Sequence, residues 1–188
     1  MFLNDEEAHQ SSRTSRRRPQ KKITPQRLRN IGLYYLKRFE SSVENLRSVL
    51  HRRIDAYARE NPQWDKQEAY VWTEAVLDDF IRLKYLDDDR FTEIKIKNYL
   101  NAGKPARYIK NKLRAKGIAE SAVESILSEE DYDPCAMALK LAKRKKIGPY
   151  RTAETRHEFR QKDMGTLIRA GFDYDIVREV LDYEVTEE

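Results

Sequence analysis

The sequence predicts an all-α protein in which three tandem three-helix repeats form an elongated, curved arrangement. Apolar residues recur at steps of three and four along most of the chain, and no stretch has convincing period-two alternation. Capping residues, first-turn prolines and glycines punctuate this pattern. In addition, the skeleton of residues 113–127 is repeated in residues 167–181. Repetition of this kind builds stacked small modules, each with a shallow core, and an extended surface.

The repeated skeleton has a glycine near its centre. A leucine lies four residues before the glycine, an apolar residue follows it, and a valine and a leucine lie six and ten residues after it. The two copies are Leu113, Gly117, Ile118, Val123, Leu127 and Leu167, Gly171, Phe172, Val177, Leu181. We interpret each copy as the second and third helices of a repeat, with the glycine ending the second helix. The competing interpretation is that any two amphipathic helices joined by a glycine turn look alike.

The first repeat is expected to contain three helices. Thr24 caps the first helix, and Pro25 occupies its first turn. The second helix begins near Ser42 and extends to about Arg59, and the third begins near Asp65. The apolar stripes expected on the first and third helices are Leu28, Ile31, Tyr35, Phe39 and Ala69, Trp72, Val76, Phe80, respectively.

The second and third repeats follow the same order. The aspartates at 87–89 are placed to cap a helix that extends to about Leu100. The apolar face expected on this helix comprises Phe91, Ile94, Asn98 and Tyr99. Three further helices are expected from Pro105 to Gly117, over 119–127, and from Asp133 to a break at 146–150. One more helix is expected to end at Gly171, and the last to span 173–181.

The predicted domain boundaries separate a tail from three repeats. Residues 1–23 are expected to form a disordered basic arm, and the repeats to occupy 24–86, 87–130 and 131–188. The net charge of +5 comes from the first 30 residues, which hold eight basic and three acidic residues. From Ile31 onward the basic and acidic residues are equal in number. An electrostatic function must therefore depend on the segregation of charge rather than on its total.

The sequence contains no catalytic motif, and we expect neither an enzyme nor a metal or cofactor site. The three histidines are not spaced as metal ligands. The single cysteine, Cys135, follows a first-turn proline, where a helix amino end can lower the pKa of a thiol, but no histidine is near it in sequence. Glycine-rich phosphate loops and nucleophile elbows are absent. A lone cysteine and the lack of a long apolar run favour a cytoplasmic protein without a membrane span.

Two basic runs, one in each of the last two repeats, contain no acidic residue. They occupy residues 104–116 and 140–151, and together with the arm they favour an anionic partner. The candidate binding residues are Arg107, Lys110, Lys112, Arg114, Lys116, Lys143, Arg144, Lys145 and Lys146. Arg107, Lys110 and Arg114 share one helical stripe. The competing interpretation is a solvated helix face, or internal pairing with the acidic segments 120–133 and 173–188.

Sequence-specific DNA recognition is disfavoured by the charge of the third helices. A helix pair with a glycine turn is similar to a helix-turn-helix motif. However, the presumed third helices carry the acidic residues Glu120, Glu124, Asp173, Asp175 and Glu179. Because DNA phosphates repel carboxylates, an acidic helix is poorly suited to a major groove.

Three stretches resemble the RecX family of regulators of the bacterial recombinase RecA. They are YLDDDRFTE at Tyr85–Glu93, IKNKLRAKGIAESAVESIL at Ile109–Leu127 and RAGFDYDIVREVL at Arg169–Leu181. The resemblance extends over about residues 25–183, and it implies three tandem three-helix repeats. The chain departs from the family pattern at Lys84, where glycine is common, and at residues 57–69, which replace a tight glycine turn.

The resemblance implies a non-catalytic modulator that binds the RecA–DNA filament. Such a protein lies along the filament groove and restrains strand exchange, ATP hydrolysis and coprotease activity. The basic residues named above would contact filament acids or phosphates, with weak electrostatic binding to single- or double-stranded DNA. We expect a monomer without membrane association. Two alternatives stay open: an architectural DNA-binding protein that acts through its basic arm and basic helix faces, and a helical adaptor for another partner.

Overall fold

Nine α-helices and one short 3-10 turn make up the part of the chain that the computed structural model describes, residues 21–130 and 132–184. The helices are α1 (Pro25–Leu36), α2 (Val43–Glu60), α3 (Gln67–Arg82), α4 (Asp88–Asn101), α5 (Ala106–Arg114), α6 (Glu120–Glu129), α7 (Pro134–Lys145), α8 (Ala153–Ala170) and α9 (Tyr174–Leu181). Within these ranges no residue lies in a β-strand, so the all-α prediction is confirmed. None of these helices has the length and apolar character that crossing a bilayer requires. Residues 1–20 of the expected basic arm lie outside the described residues.

Capping side chains begin four of the helices at the positions that the sequence predicts. Each side chain accepts a hydrogen bond of 2.8–3.3 Å from a backbone N–H two or three residues later. The capping residues are Thr24, Ser42, Asp87 and Asp133. Each bond satisfies a first-turn N–H group that has no partner within its own helix.

The buried apolar side chains form three clusters that follow one another along the chain. The first draws on α1, α2 and α3, and includes Leu50 and Phe80. The second draws on α4, α5 and α6 and is centred on residues such as Ile109. The third draws on α7, α8 and α9, and includes Leu167 and Val177. We propose that these clusters are the cores of the three repeats expected from the sequence.

Three apolar residues lie elsewhere than predicted. Ile23, assigned to the arm, is only 3% exposed and belongs to the first cluster. Phe39 is 55% exposed because α1 ends at Leu36, so the expected stripe extends beyond the helix. On α4 the exposed residue is Ile94 and the buried one is Ile96. These two positions are about 200° apart around the helix axis, so the expected face is wrong at Ile94, whereas its first member, Phe91, is 2% exposed and buried as expected.

The glycine of each repeated skeleton lies against the preceding part of the chain. Gly117 has a φ of +78°, and a Cβ atom built on it would lie 2.4 Å from the Cβ of Glu44, in the first turn of α2. Gly171 has a φ of +107°, and its Cβ would lie 3.3 Å from Cγ of Pro105, which precedes α5. Each glycine therefore permits both a left-handed turn and a close approach to the start of an earlier helix.

Hydrogen bonds reinforce the first of these contacts. The Ser42 hydroxyl donates to the Lys116 carbonyl at 2.7 Å, and Lys116 Nζ donates to Asn45 Oδ1 at 2.7 Å. The backbone N–H of Val43 donates to Asp88 Oδ1 at 2.9 Å. The first turn of α2 is thereby joined both to α4 and to the turn between α5 and α6.

A buried carboxylate organises the third cluster. Asp163 on α8 is 1% exposed and accepts from Arg151 Nε at 2.6 Å, from Arg151 Nη2 at 2.9 Å and from the Gly148 N–H at 2.8 Å. Burial alone would raise the pKa of Asp163, but the bonds from Arg151 and Gly148 lower it below its ordinary value. The carboxylate fixes the 3-10 turn at Gly148–Tyr150 against α8.

Candidate functional site

The basic residues of α5 face two different environments. Lys110 Nζ forms ion pairs with Glu124 and, at 3.5 Å, with Glu120, while Arg114 Nη2 lies 2.8 Å from Glu120 Oε2. The hydrogen bond to Glu124 raises the pKa of Lys110, and the bond from Arg114 lowers that of Glu120. The competing interpretation, internal pairing with the acidic segment 120–133, therefore applies to Lys110 and Arg114, because α6 packs beside α5 and brings its carboxylates within reach.

The other side of α5 forms one wall of an open groove of about 520 Å³, here called the α5–α8 groove. Its second wall is the C-terminal end of α8 with the Gly171 turn. Three cationic side chains line it, Arg107, Lys112 and Arg169, and no acidic residue does. None of the three forms an ion pair with another described residue. The groove therefore carries a local excess of positive charge, although the chain from Ile31 onward is neutral in sum.

An aromatic side chain lies among these cations. Tyr108 lines the groove, and its ring centroid is 4.7 Å from Lys104 Nζ and 5.5 Å from Lys112 Nζ. The edge of Tyr99 packs against Tyr108 with the ring centroids 5.6 Å apart. These contacts fix the orientation of Tyr108, and cation–π attraction holds the two ammonium groups against its ring.

Sequence reasoning missed Arg169, which belongs to neither basic run. It directly precedes the glycine turn of the third cluster, and the fold places it across the groove from Arg107. The search for basic runs without acids could not find Arg169, because it is the only basic residue between Asp163 and Asp173. The recurring glycine turn was the available signal, because a residue beside Gly171 must lie near the helix that this turn packs against.

The second basic run lies at the C-terminal end of α7. Arg144 Nη1 donates to the Ala102 carbonyl at 2.9 Å and so satisfies an acceptor at the end of α4. Lys146 ends α7 in a left-handed conformation with a φ of +53°. Lys143 and Lys145 are exposed, and neither has an ion-pair partner within the described ranges. All four cations also complement the negative end of the helix dipole. Arg144 and Lys146, which bond to α4 and end α7, respectively, therefore have structural roles beside any role in binding.

The cysteine does not have the environment of a reactive thiol. Burial, together with a hydrogen bond involving Glu179, raises the pKa of Cys135 to about 11. This effect outweighs any lowering at the amino end of α7. At neutral pH the side chain is a thiol and not a nucleophilic thiolate. The part of the chain that the structure describes also contains no group of three or more histidine, cysteine or carboxylate side chains placed to hold a metal.

Helices that pack through glycine turns, with a cation-lined groove between them, define an all-helical protein with one candidate binding surface at this groove. The regulatory protein RecX of Myxococcus xanthus strain DK1622 is 33% identical over 165 residues, which cover 86% of this chain and 88% of that protein. The chain therefore belongs to the RecX family, and the resemblance noted in the sequence is confirmed. No family model matches the chain.

Two solved structures support the fold. The crystal structure of RecX from Lactobacillus salivarius gives a TM-score of 0.57 at 22% identity, with 84% of this chain and 96% of that chain covered. A second crystal structure of a regulatory protein RecX gives a TM-score of 0.60 at 23% identity, with 85% and 72% covered. The likeness extends over most of the helices described above.

Proposed function

We propose that this protein is a non-catalytic modulator of the RecA recombinase. It binds the RecA–DNA filament and restrains strand exchange, ATP hydrolysis and coprotease activity. Membership of the RecX family supports this proposal, since relatives carry the name of regulatory protein. The observation that carries it is the α5–α8 groove, in which three cations meet without an acidic neighbour. Such a surface suits the carboxylates and phosphates that a protein–DNA filament exposes.

The structure suggests an order among the proposed contacts. Arg107 and Lys112 are exposed and unpaired with described acids, so they are available without any rearrangement. Lys110 must first give up Glu124 and Glu120, and Arg114 must give up Glu120, but ion pairs at a protein surface contribute little to stability. The end of α7 adds further cations, and Lys116 is held by its bond to the first turn of α2. Several weak contacts on one chain gain affinity by acting together.

A pair of matched charge reversals tests the site. Arg107→Glu with Lys112→Glu removes two groove cations, whereas Arg52→Glu with Lys37→Glu changes two exposed cations that lie outside this groove and pair with no described acidic residue. One charge-assisted contact at roughly 1.5 kcal/mol corresponds to about a tenfold effect, so the loss of two contacts should give at least that. We expect the first variant to need at least ten times more protein for half-inhibition of RecA strand exchange, and the second to behave as the parent. Equal inhibition by both folded variants would contradict the assignment.

The alternative is an architectural DNA-binding protein, which the same groove also favours. Naked duplex separates the two functions. A DNA-binding protein attaches to duplex alone, and its log affinity falls with log salt by about 0.9 for each phosphate contact. A RecA modulator prefers DNA already coated with RecA. The ratio of the affinities for coated and naked DNA therefore decides between them.

A further inference from the structure

A second cation-lined groove lies on the first cluster, away from the α5–α8 groove. It has a volume of about 630 Å³ and is formed by the segment before α1, by α1 itself and by one residue of α2. We call it the α1–α2 groove. Its cations are Lys21, Lys22, Arg27 and Arg53, and no acidic residue lines it. Its polar wall is completed by the side chains of Thr24, Gln26 and Asn30.

The cations of this groove are not neutralised within the described part of the chain. None of the four forms an ion pair with a described acidic residue, although Arg29, on the same helix, pairs with Asp79 at 3.1 Å. The Nε atom of Arg27 is buried and has no hydrogen-bond partner there. A buried donor without an acceptor is unfavourable. Arg27 also lines the groove, so a phosphate seated there would neutralise the charge of its guanidinium.

An exposed aromatic ring lies at the same groove. Tyr34 is 61% exposed and lines the wall together with Arg27 and Asn30. The guanidinium carbon of Arg38 lies 4.6 Å from the ring centroid of Tyr34, which supports the ring in place. An oriented and largely exposed tyrosine beside phosphate-binding cations is the combination with which proteins hold unpaired nucleic-acid strands.

We propose that the α1–α2 groove binds single-stranded nucleic acid, with its phosphates on Lys21, Lys22, Arg27 and Arg53 and one base stacked on Tyr34. A single strand is favoured over a duplex because only an unpaired base can offer its face to the ring. An acidic protein surface would engage the cations, but it would leave the exposed ring unused. This site is distinct from the α5–α8 groove and does not depend on the proposed action on RecA.

Binding of a fluorescein-labelled twenty-nucleotide oligothymidine, measured by anisotropy without RecA, tests the proposal. Tyr34→Ala should weaken binding at least about fivefold, the lower end of the effect of one base–aromatic stack. Tyr183→Ala, which removes another exposed tyrosine outside the groove, should not. Arg53→Gln should reduce the slope of log affinity against log salt by about 0.7, the value for one phosphate of a single strand. Its exposed neighbour provides the control, since Arg52→Gln should leave the slope unchanged.

Four outcomes would overturn the proposal, given variants with the parent's circular-dichroism spectrum and melting temperature. The first is oligothymidine binding by Tyr34→Ala that equals the parent's. The second is an equal loss from Arg52→Gln and Arg53→Gln, which would indicate diffuse charge. The third is a duplex of the same sequence that binds as tightly and loses as much affinity in Tyr34→Ala. If the groove variants bind oligothymidine normally but no longer inhibit RecA, the groove is a protein-docking surface and the proposal is wrong.

Discussion

Substitution of Gly117 by alanine should destabilise the protein through two separate effects. The left-handed conformation at φ +78° costs a residue with a Cβ about 1–2 kcal/mol. The new methyl group would also lie 2.4 Å from Glu44 Cβ. This atom is bonded directly to the backbone of α2 and cannot move aside as the end of a flexible side chain can. Relief of such an overlap typically costs about 1–3 kcal/mol. The lower entropy of the unfolded alanine chain offsets about 0.4–1 kcal/mol, so we expect a net loss of about 1–4.5 kcal/mol.

Urea denaturation followed by circular dichroism at 222 nm measures this loss, and another glycine provides the control. Gly165 lies inside α8, and a Cβ there would meet only the flexible end of Arg169, at 3.1 Å. Gly165→Ala should therefore leave the free energy of unfolding unchanged or raise it by up to about 1 kcal/mol. The same chemical change should thus have opposite effects at the two positions. A loss below about 0.5 kcal/mol in Gly117→Ala would refute the close packing of this turn against α2.

Three further predictions concern single residues. Lys84 has a φ of +59°, so Lys84→Gly should raise the free energy of unfolding by about 0.5–1 kcal/mol, whereas Lys84→Ala should not; equal effects in a urea melt would contradict a backbone cause. Asp163→Asn should cost about 2–3 kcal/mol in the same assay, less than a fully buried pair because the Arg151 side chain is 23% exposed. Since the folded pKa of Asp163 is lowered, its contribution is complete above the ordinary value of 3.8 and is lost as the pH falls through the folded value; a difference between parent and variant that grows as the pH falls below 3.8 would contradict this. Cys135 should react with iodoacetamide at a rate that rises about tenfold per pH unit up to a pKa near 11, and a plateau near pH 8.5 would contradict its burial.

The elements and their caps could be predicted from local sequence because local chemistry determines them. Thr24, Asp87 and Asp133 begin helices where a short polar side chain meets an apolar period. The left-handed glycine at 117 was likewise predictable from the apolar residue that follows it. Ile94 shows the limit of this reasoning, because α4 has isoleucines on two opposite sides, Ile94 and Ile96, and the period alone does not indicate which side meets the next helix.

The candidate site was less predictable, since it depends on contacts between distant segments. Acid-free runs correctly drew attention to α5, but they did not reveal that α6 supplies carboxylates to Lys110 and Arg114. Arg169 lies 62 residues after Arg107 in the numbering, and only the packing of the Gly171 turn brings both to one groove. The sequence did not reveal the α1–α2 groove either, because Arg53 lies on α2 and only the fold brings it beside the groove residues of α1 and of the segment before α1.

The RecA ATPase rate on single-stranded DNA, measured with increasing amounts of this protein, tests the central claim most directly. The proposed function predicts a progressive fall in ATP turnover, with at least ten times more of the Arg107→Glu, Lys112→Glu variant needed for the same effect. Tyr34→Ala should lose affinity for oligothymidine, whether or not it still slows RecA, so failure of the two proposals can be distinguished. An ATPase rate that is unchanged at several-fold excess of the folded parent protein over RecA would contradict a role in modulating the recombinase.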